Sequence, residues 1–270
     1  MKPLNFDMTP LAKALQMSTP PKTKSTVPER RASLDRVGTY PRHIAANAGW
    51  LSSLAREQVH ALATHLLARQ TERGLRTCAV TSALAGEGKT TVTLALAEKL
   101  AGADKRVLII DLDSHRGTLS RETQLGDVPG ALESSSGRSN GTRPQLHCYA
   151  TDCRNVSIMP TGVLNHAEGV PLLDPERLQA LIARCLEEYD LVLLDCPPLL
   201  PVADTHVIGD AADSAILVVR ANRTPREVLK QALKEFGAEK FFAAVLNRAH
   251  PYNIPYFREV YGYYRHEPAR

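Results

Sequence analysis

Apolar residues recur along this chain in two different patterns that alternate after its first 50 or so residues. Short continuous apolar runs predict buried β-strands, and longer stretches with apolar residues three and four apart predict helices. The predicted strands are Thr77–Ala83, Arg106–Asp111, Asn155–Met159, Tyr189–Asp195, Ser214–Arg220 and Phe242–Leu246. Because helical segments separate most of these runs, we expect an α/β fold with a mainly parallel sheet and helices on both faces.

Four stretches have helical spacing, and two of them begin with recognisable capping residues. The predicted helices are Trp50–Leu67, Lys89–Leu100, one opening at Asp174 and one opening at Thr224. Asp174 is expected to cap its helix, with Pro175 in the first turn. Thr224-Pro225-Arg226-Glu227 has the sequence of a capping box, in which the threonine hydroxyl accepts a bond from the third helical N–H.

The pattern divides the chain into three parts. Residues 1–43 hold 6 of the 18 prolines and lack a sustained period, so they are predicted to be a mostly flexible extension. Residues 44–251 contain all the predicted strands and form the expected domain. Within it, Ser134–Pro144 is rich in Ser, Gly, Asn and Arg and is predicted to be a loop. Residues 252–270 are polar and aromatic without a period, and they form a tyrosine-rich tail.

Composition and charge exclude several classes of protein. Hydrophobic residues make up 43% of the chain, which is enough for a sizeable core. The net charge of +4 comes from residues 1–43, which contain 8 Lys/Arg and 3 Asp/Glu. The other 227 residues contain 25 Lys/Arg and 26 Asp/Glu. A nucleic-acid-binding face on the domain is therefore not expected. The basic segment is either a solvated tail or an arm that touches an anionic membrane or acidic partner.

Neither a membrane span nor a disulfide framework is predicted. No apolar run approaches the roughly 18–20 residues that a spanning helix requires, and the N-terminus lacks a secretory apolar stretch. We therefore expect a cytoplasmic protein. The five cysteines contain no C-x-x-C pair and are predicted to be buried thiols.

A glycine-rich segment between a predicted strand and a predicted helix has the composition of a phosphate-binding loop. It consists of Gly86, Glu87, Gly88, Lys89, Thr90 and Thr91. Glycines let the backbone approach the phosphates, and the helix N-terminus attracts their negative charge. Lys89 would reach the β- and γ-phosphates of ATP, and Thr90 would coordinate Mg²⁺. Ala83 stands where the strict pattern has glycine.

Carboxylates end two of the buried strands. Asp111 and Asp113 close one strand, and Asp195 closes another. The carboxyl ends of parallel strands meet at the ligand crevice of an open α/β sheet. Capping of the following helices would explain one such residue but not all three. Together with the glycine-rich loop, the set predicts a Mg²⁺–nucleotide site.

From Glu57 to Arg270 the chain resembles the bacterial tyrosine kinases, P-loop autokinases of capsule and exopolysaccharide export. Thr81–Thr91 resembles that family's Walker A motif, Val107–Asp113 its Walker A′ motif, and Tyr189–Pro198 its Walker B region. Val245-Leu246-Asn247 resembles a segment beside the adenine in related ATPases, so Asn247 and Arg248 are expected at the nucleotide. These motifs are shared with the wider superfamily of ParA/MinD-like ATPases.

The tyrosine-rich tail indicates the kinase branch of that superfamily. Five of the eight tyrosines lie in the last 19 residues, and the resemblance makes these five the phosphoacceptors: Tyr252, Tyr256, Tyr261, Tyr263 and Tyr264. Partition ATPases carry an extra lysine where this chain has Leu84. One departure is Glu57-x-x-His60-x-x-Ala63, which lacks both arginines of the family's ring-assembly motif and puts the usual ring in doubt.

The resemblance implies an ATP- and Mg²⁺-dependent tyrosine autokinase that self-associates and works with a membrane activator of the polysaccharide co-polymerase type. Lys89 would bind the phosphates. Thr90, Asp113 and Asp195 would bind Mg²⁺ directly or through water. Asp111 is the candidate for orienting or deprotonating the tyrosine, although the roles of Asp111 and Asp113 stay interchangeable at this point. The alternatives are a ParA/MinD-like positioning ATPase and a nucleotide-gated adaptor without catalysis.

Overall fold

A seven-stranded sheet organises the part of the chain that the computed structural model describes, which is residues 53–135, 146–163, 174–200 and 204–249. The strands are β1 Thr77–Ser82, β2 Val107–Asp111, β3 Tyr149–Ala150, β4 Val156–Met159, β5 Leu191–Asp195, β6 Ser214–Arg220 and β7 Phe241–Asn247. Residues 1–43, most of the predicted loop and the tyrosine-rich tail lie outside the described residues.

The strands lie in the order β3-β4-β2-β5-β1-β6-β7. Every neighbouring pair is parallel except β3–β4, which is antiparallel. The carboxyl ends of β2, β5 and β1 are therefore side by side at one edge of the sheet. The predicted α/β fold with a mainly parallel sheet is confirmed.

Seven α-helices accompany the sheet in the described part of the chain. They are α1 Ser53–Arg73, α2 Lys89–Gly102, α3 Thr118–Glu122, α4 Ala131–Ser135, α5 Pro175–Cys185, α6 Asp204–Ala211 and α7 Arg226–Phe236. A 3₁₀ turn, Ala238–Lys240, follows α7. Within these residues no helix is both long enough and apolar enough to cross a bilayer.

The strands bury both of their faces, as parallel strands covered on two sides must. In β5, Leu191 and Leu193 join the core under α1 and α2, whereas Val192 and Leu194 join the core under α5, α6 and α7. All four side chains are fully buried. Burying a leucine stabilises the fold by about 1.5–3 kcal/mol, so these alternating residues hold the strand ends in place.

Most predicted boundaries agree with the structure to within two residues, and Asp174 caps α5 as expected. Its carboxylate accepts the Arg177 N–H at 3.0 Å. The capping box at Thr224 is wrong: Pro225 occupies the N-cap position, no side chain caps α7, and the Thr224 hydroxyl bonds elsewhere. The sequence patterns also did not predict β3 or the short helices α3, α4 and α6.

Four of the five cysteines are buried, and all five are free thiols. Cys153 is half-buried, so the prediction of buried thiols is confirmed for Cys78, Cys148, Cys185 and Cys196. Burial raises the pKa of the half-buried Cys153 thiol to about 11.

Candidate nucleotide site

The glycine-rich loop joins β1 to α2 in the strand–loop–helix context that the sequence predicted. Gly86 and Gly88 have φ angles of 78° and 101°, which L-residues with side chains adopt rarely. At Gly88 an added Cβ would lie 2.1 Å from the side-chain nitrogen of Asn247. The backbone conformation therefore favours glycine at position 88, and a side chain there would displace the Asn247 amide.

Glu87 holds the loop from within instead of facing a ligand. Its side chain is only 2% exposed, and one carboxylate oxygen accepts the Leu84 N–H at 3.0 Å. The other oxygen accepts the hydroxyl of Thr224, at the start of α7. The Asn247 side-chain amide donates to the Glu87 carbonyl at 2.8 Å. The loop is thus attached to the segment after β6 and to the end of β7.

The first turn of α2 contains Lys89, Thr90 and Thr91. Gly88 precedes this turn and offers no capping side chain, so the free N–H groups and the positive end of the helix dipole are available to an anion. Lys89 is 7% exposed, and its Nζ lies 4.0 Å from Asp113 Oδ2. These contacts place a cation and a carboxylate at the mouth of the loop.

Asp195 ends β5 and faces α2. Its Oδ2 accepts the Thr90 hydroxyl at 2.7 Å, and its Oδ1 accepts the Thr93 hydroxyl at 3.2 Å. Burial, followed by repulsion from Asp111, raises the pKa of Asp195 to about 7. A buried carboxylate that resists ionisation in this way is stabilised by a nearby cation.

Asp111 on β2 is the register partner of Asp195 on β5. Its carboxylate, however, forms hydrogen bonds within the protein. It accepts the Asp113 N–H at 3.1 Å, the Ser120 N–H at 2.9 Å and the Ser120 hydroxyl at 2.6 Å. Burial raises the pKa of Asp111 to about 6, although the Ser120 bonds act against that increase. The side chain positions Asp113 from inside the protein.

Ser120 is a site residue that sequence reasoning missed. It lies on α3 and is 3% exposed. Its hydroxyl also accepts the Thr161 N–H at 3.0 Å, so it joins the loop after β2 to the loop after β4. The short helix gives no hydrophobic period, and a lone serine carries no motif, so no sequence signal marked it.

The structure brings most predicted site residues together, whereas the side chains of Glu87, Asp111 and Asn247 form hydrogen bonds within the protein. Seven lie at the carboxyl ends of β1, β2 and β5: Gly86, Gly88, Lys89, Thr90, Thr91, Asp113 and Asp195. Asn247 uses its amide on the loop and accepts the Arg248 N–H at 2.8 Å. The five tail tyrosines lie outside the described residues.

The oxygen donors of the site fit Mg²⁺. Carboxylate and hydroxyl oxygens are its usual protein ligands, and in nucleotide sites one or two carboxylates act together with substrate phosphates. Asp195, Asp113 and Thr90 supply such oxygens. In the described part of the chain, no group of three His, Cys, Asp or Glu side chains is arranged to hold a metal by itself.

The AAA domain family model matches residues 75–240, which include the loop and all three carboxylates. That range is more than half of the chain, and the chain belongs to this family. The match also covers α7 and the segment that carries Thr224.

Among curated proteins, similar relatives bear the names of tyrosine kinases. The chain is 28% identical over 199 residues to tyrosine-protein kinase YwqD of Bacillus subtilis, covering 72% of this chain and 81% of that protein. It is 29% identical over 213 residues to the putative tyrosine-protein kinase EpsB of Ralstonia solanacearum. That match covers 78% of this chain but only 28% of EpsB, so the chain spans less than a third of this relative.

Solved kinase domains share the fold. The kinase domain of Escherichia coli tyrosine kinase ETK is 25% identical, with a TM-score of 0.65, over 82% of this chain and 87% of that domain. The BceF tyrosine kinase domain is 27% identical, with a TM-score of 0.59, over 72% and 77% of the two chains. The predicted resemblance to bacterial tyrosine kinases is confirmed, and at the level of the family so is protein-tyrosine kinase activity.

Proposed function

We propose that this protein is an ATP-dependent tyrosine autokinase that uses Mg²⁺, phosphorylates its own C-terminal tyrosines and regulates exopolysaccharide or capsule export. The observation that carries this proposal is the meeting of Lys89, Asp113, Thr90 and Asp195 at neighbouring strand ends. The 4.0 Å Lys89–Asp113 and 2.7 Å Thr90–Asp195 contacts form a charged site at a helix N-terminus.

Phosphoryl transfer needs positioning and charge neutralisation more than covalent chemistry. In the proposed site, Lys89 and the loop N–H groups bind the β- and γ-phosphates. Thr90 and Asp113 hold Mg²⁺ directly or through water, with Asp195 as a further ligand. When bound, the metal neutralises charge on the transferred phosphoryl group. Asp111 is enclosed by three hydrogen bonds, which favours Asp113 over Asp111 as the carboxylate nearest the incoming hydroxyl.

The sequence resemblance supports a membrane activator of the polysaccharide co-polymerase type as partner. We place the working protein at the inner face of the cell membrane, recruited by that activator or by the basic segment 1–43. Self-association is part of the proposal because the acceptor tyrosines belong to the chain itself. Glu57 and His60 are exposed on α1, whereas Ala63 is buried, so any assembly through this helix uses other contacts than the family's arginines.

Substitution of Lys89 by methionine tests the site. We expect Lys89→Met to reduce both ATP turnover and phosphotyrosine by about 10²-fold or more, because one preorganised charge contributes on that order. Lys99→Met, at the other end of α2, is the matched control and should keep both activities. Mass spectrometry of the purified proteins measures phosphotyrosine, and ADP formation measures ATP turnover.

The same measurements separate the alternatives. ATP turnover without phosphotyrosine, even with an activator present, would favour a positioning ATPase. Nucleotide binding with neither activity would favour a non-catalytic adaptor. Equal autophosphorylation by Lys89→Met and the unmodified chain would remove Lys89 from the proposed site.

A further inference from the structure

The two edges of the sheet differ in how well they are protected against pairing with another strand. The β3 edge has only two residues, and an edge that short offers little backbone to a partner. The β7 edge has seven residues, Phe241–Asn247, and no other strand in the described part of the chain pairs with its outer side. The outward N–H and C=O groups of β7 can therefore accept a further strand.

The β7 edge lacks the residues that normally block such pairing. Natural edge strands carry lysine, proline or inward-pointing charges that prevent the addition of a strand. The sequence of β7, Phe-Phe-Ala-Ala-Val-Leu-Asn, contains none of these, and from Ala243 onward its register with β6 is unbroken. Ala244 is exposed, and Leu246 is 53% exposed, which is unusual for a large hydrophobic side chain in the described residues. This composition is typical of a strand that another segment covers.

A second copy of β7 is a poor occupant of this edge. Full antiparallel overlap of two identical strands would set Lys240 of each copy opposite Arg248 of the other. Like charges directly opposite each other destabilise a strand pair. Lys240 has Asp210 as a partner, but no carboxylate in the described residues forms an ion pair with Arg248. A strand of different sequence therefore fits the edge better than β7 itself.

The chain supplies a segment of suitable sequence shortly after β7. Residues 256–261, Tyr-Phe-Arg-Glu-Val-Tyr, lie between Pro255 and Gly262, residue types that commonly border strands. Tyrosine, phenylalanine and valine are enriched in strands, and the arginine and glutamate balance each other's charge. The segment also has about the length of β7, so it could cover most of the edge.

The connection between β7 and this segment determines the direction in which it can pair. Residues 248–255 number eight. A parallel strand needs a crossover of roughly a dozen residues or more, whereas an antiparallel strand needs only a turn. The short connection also gives the segment an effective concentration on the order of millimolar, so weak pairing is sufficient.

We propose that the β7 edge is the docking site for residues 256–261 of the same chain, which add an eighth, antiparallel strand to the sheet. The backbone N–H and C=O groups of the two strands supply the hydrogen bonds. The aromatic side chains of the docked segment cover Ala244 and Leu246.

Docking would control which copies can exchange phosphate, a consequence that rests on the proposed autokinase function. The added strand runs from the carboxyl end of the sheet toward its amino end. Tyr261 and the two tyrosines that follow it then lie at the end opposite Lys89 and Asp113 of the same chain. The β7 edge therefore competes with the kinase site of a neighbouring copy for the same tail.

Hydrogen–deuterium exchange of the β7 amides tests the docking in full-length Lys89→Met protein, in which the result does not depend on kinase activity. The disrupting variant adds Glu259→Pro and Val260→Pro. Because neighbouring residues of a strand point their N–H groups to opposite sides, one of these prolines must remove a donor that faces β7. We expect the outward amides of β7 to exchange at least about 10-fold faster in this variant.

The matched control carries Arg265→Pro and His266→Pro, two prolines beyond the docking segment, and should keep the slow exchange. A synthetic peptide of residues 252–264 should restore slow exchange to the disrupting variant. The same peptide with the two prolines should not restore it.

Dilution distinguishes the chain's own tail from a neighbouring copy as the occupant of the edge. Protection that is unchanged on dilution supports docking within one chain, whereas protection that is lost on dilution means that another copy occupies the edge and overturns the proposal. Equal exchange in the disrupting variant and its control also overturns it. A failure of the kinase proposal is visible separately, as a chain with Lys89 intact that forms no phosphotyrosine.

Discussion

Two buried carboxylates occupy adjacent strand ends, an arrangement that opposes folding when no cation is bound. Asp111 and Asp195 are register partners, and burial raises the pKa of both groups. Hydroxyl donors compensate part of this electrostatic cost: Thr90 and Thr93 donate to Asp195, and Ser120 donates to Asp111. The site therefore retains negative charge for a ligand at the expense of the stability of the empty protein.

The Asp195→Asn variant should show directly that the carboxylate lowers the stability of the empty protein. Because the folded-state pKa of Asp195, about 7, lies above its usual value, the folded state binds its proton more tightly. The stability from that proton is complete at low pH and is lost as pH rises through 7. Without ligand at pH 8, Asp195→Asn should be more stable than the unmodified chain by about 1–3 kcal/mol of unfolding free energy, and it should melt at a higher temperature. The two proteins should converge only below about pH 4, where the carboxyl is protonated in the unfolded chain as well, and the variant should lose turnover because an amide cannot balance Mg²⁺.

Calorimetric melting of both proteins between about pH 4 and pH 8, with ADP formation assayed in parallel, is the measurement. If the variant melts at a lower temperature than the unmodified chain at pH 8, the carboxylate stabilises the fold and the prediction is wrong. Persistent turnover would show that Asp195 is not needed for the metal.

Ser120 should affect metal use through Asp111 and Asp113. Ser120→Ala leaves the Asp111 carboxylate and the Thr161 N–H short of a buried partner, at a cost of about 1–3 kcal/mol of stability. We expect a lower kcat and a higher Mg²⁺ requirement with little change in KM for ATP, because Asp113 would lose its support. Thr123→Ala is the matched control: Thr123 is buried at the C-cap of the same helix but donates only to backbone carbonyls. If Thr123→Ala changes the Mg²⁺ requirement equally, Ser120 has only a structural role.

At the scale of elements, the sequence predicted what local periodicity determines. Buried parallel strands leave uninterrupted apolar runs, which is why Ser214–Arg220 was predicted to the residue and the glycine-rich loop was found between a strand and a helix. β3 has two residues and α3 has five, too few for a period. The Glu87–Thr224 and Asp111–Ser120 contacts join distant segments, and nothing in the local sequence encodes such contacts.

Thr224 illustrates how a tertiary contact displaces a local one. In a capping box its hydroxyl would accept a helical N–H, but here it donates to the buried carboxylate of Glu87. A bond to a charged buried group contributes about 1.5–3 kcal/mol, compared with roughly 1 kcal/mol for a helix cap. The stronger bond prevails, and the start of α7 is joined to the nucleotide loop.

Thr224→Val should therefore weaken ATP binding rather than merely loosen α7. We expect the Kd for ATP to rise about 5-fold or more, because the variant removes a hydrogen bond from a charged group that shapes the loop. Thr224→Ser keeps the hydroxyl and should bind ATP normally. The control is Asp174→Ala, which removes a true helix cap and should lower stability with no change in ATP affinity. Isothermal titration measures the affinity. Unchanged ATP binding by Thr224→Val would mean that Thr224 stabilises the fold without affecting the nucleotide loop.

At the scale of the whole molecule, the positions of the tyrosines constrain what can be phosphorylated. The chain has eight tyrosines, of which Tyr149 and Tyr189 are in the described residues. Tyr149 lies on the edge strand β3, where its hydroxyl donates to the Pro129 carbonyl at 3.1 Å. Tyr189 precedes β5 at the amino end of the sheet, opposite the carboxylates, and burial raises the pKa of its hydroxyl. Tyr189 cannot present its hydroxyl to the site without local unfolding, and the Tyr149 hydroxyl is held in a hydrogen bond on the edge strand.

The tail is therefore expected to be the acceptor, and to be phosphorylated by another copy of the chain. Deleting residues 252–270 should leave ATP binding intact and remove nearly all phosphotyrosine. In a mixture with active tail-deleted protein, a Lys89→Met chain that keeps its tail should acquire phosphate, because only the tail-deleted copy has a working site and only the inactive copy has the acceptors. Mass spectrometry assigns the phosphate to one chain or the other. An unmodified inactive chain, with an activating partner present, would exclude transfer between copies; unchanged phosphotyrosine after tail deletion would place the acceptors elsewhere in the chain.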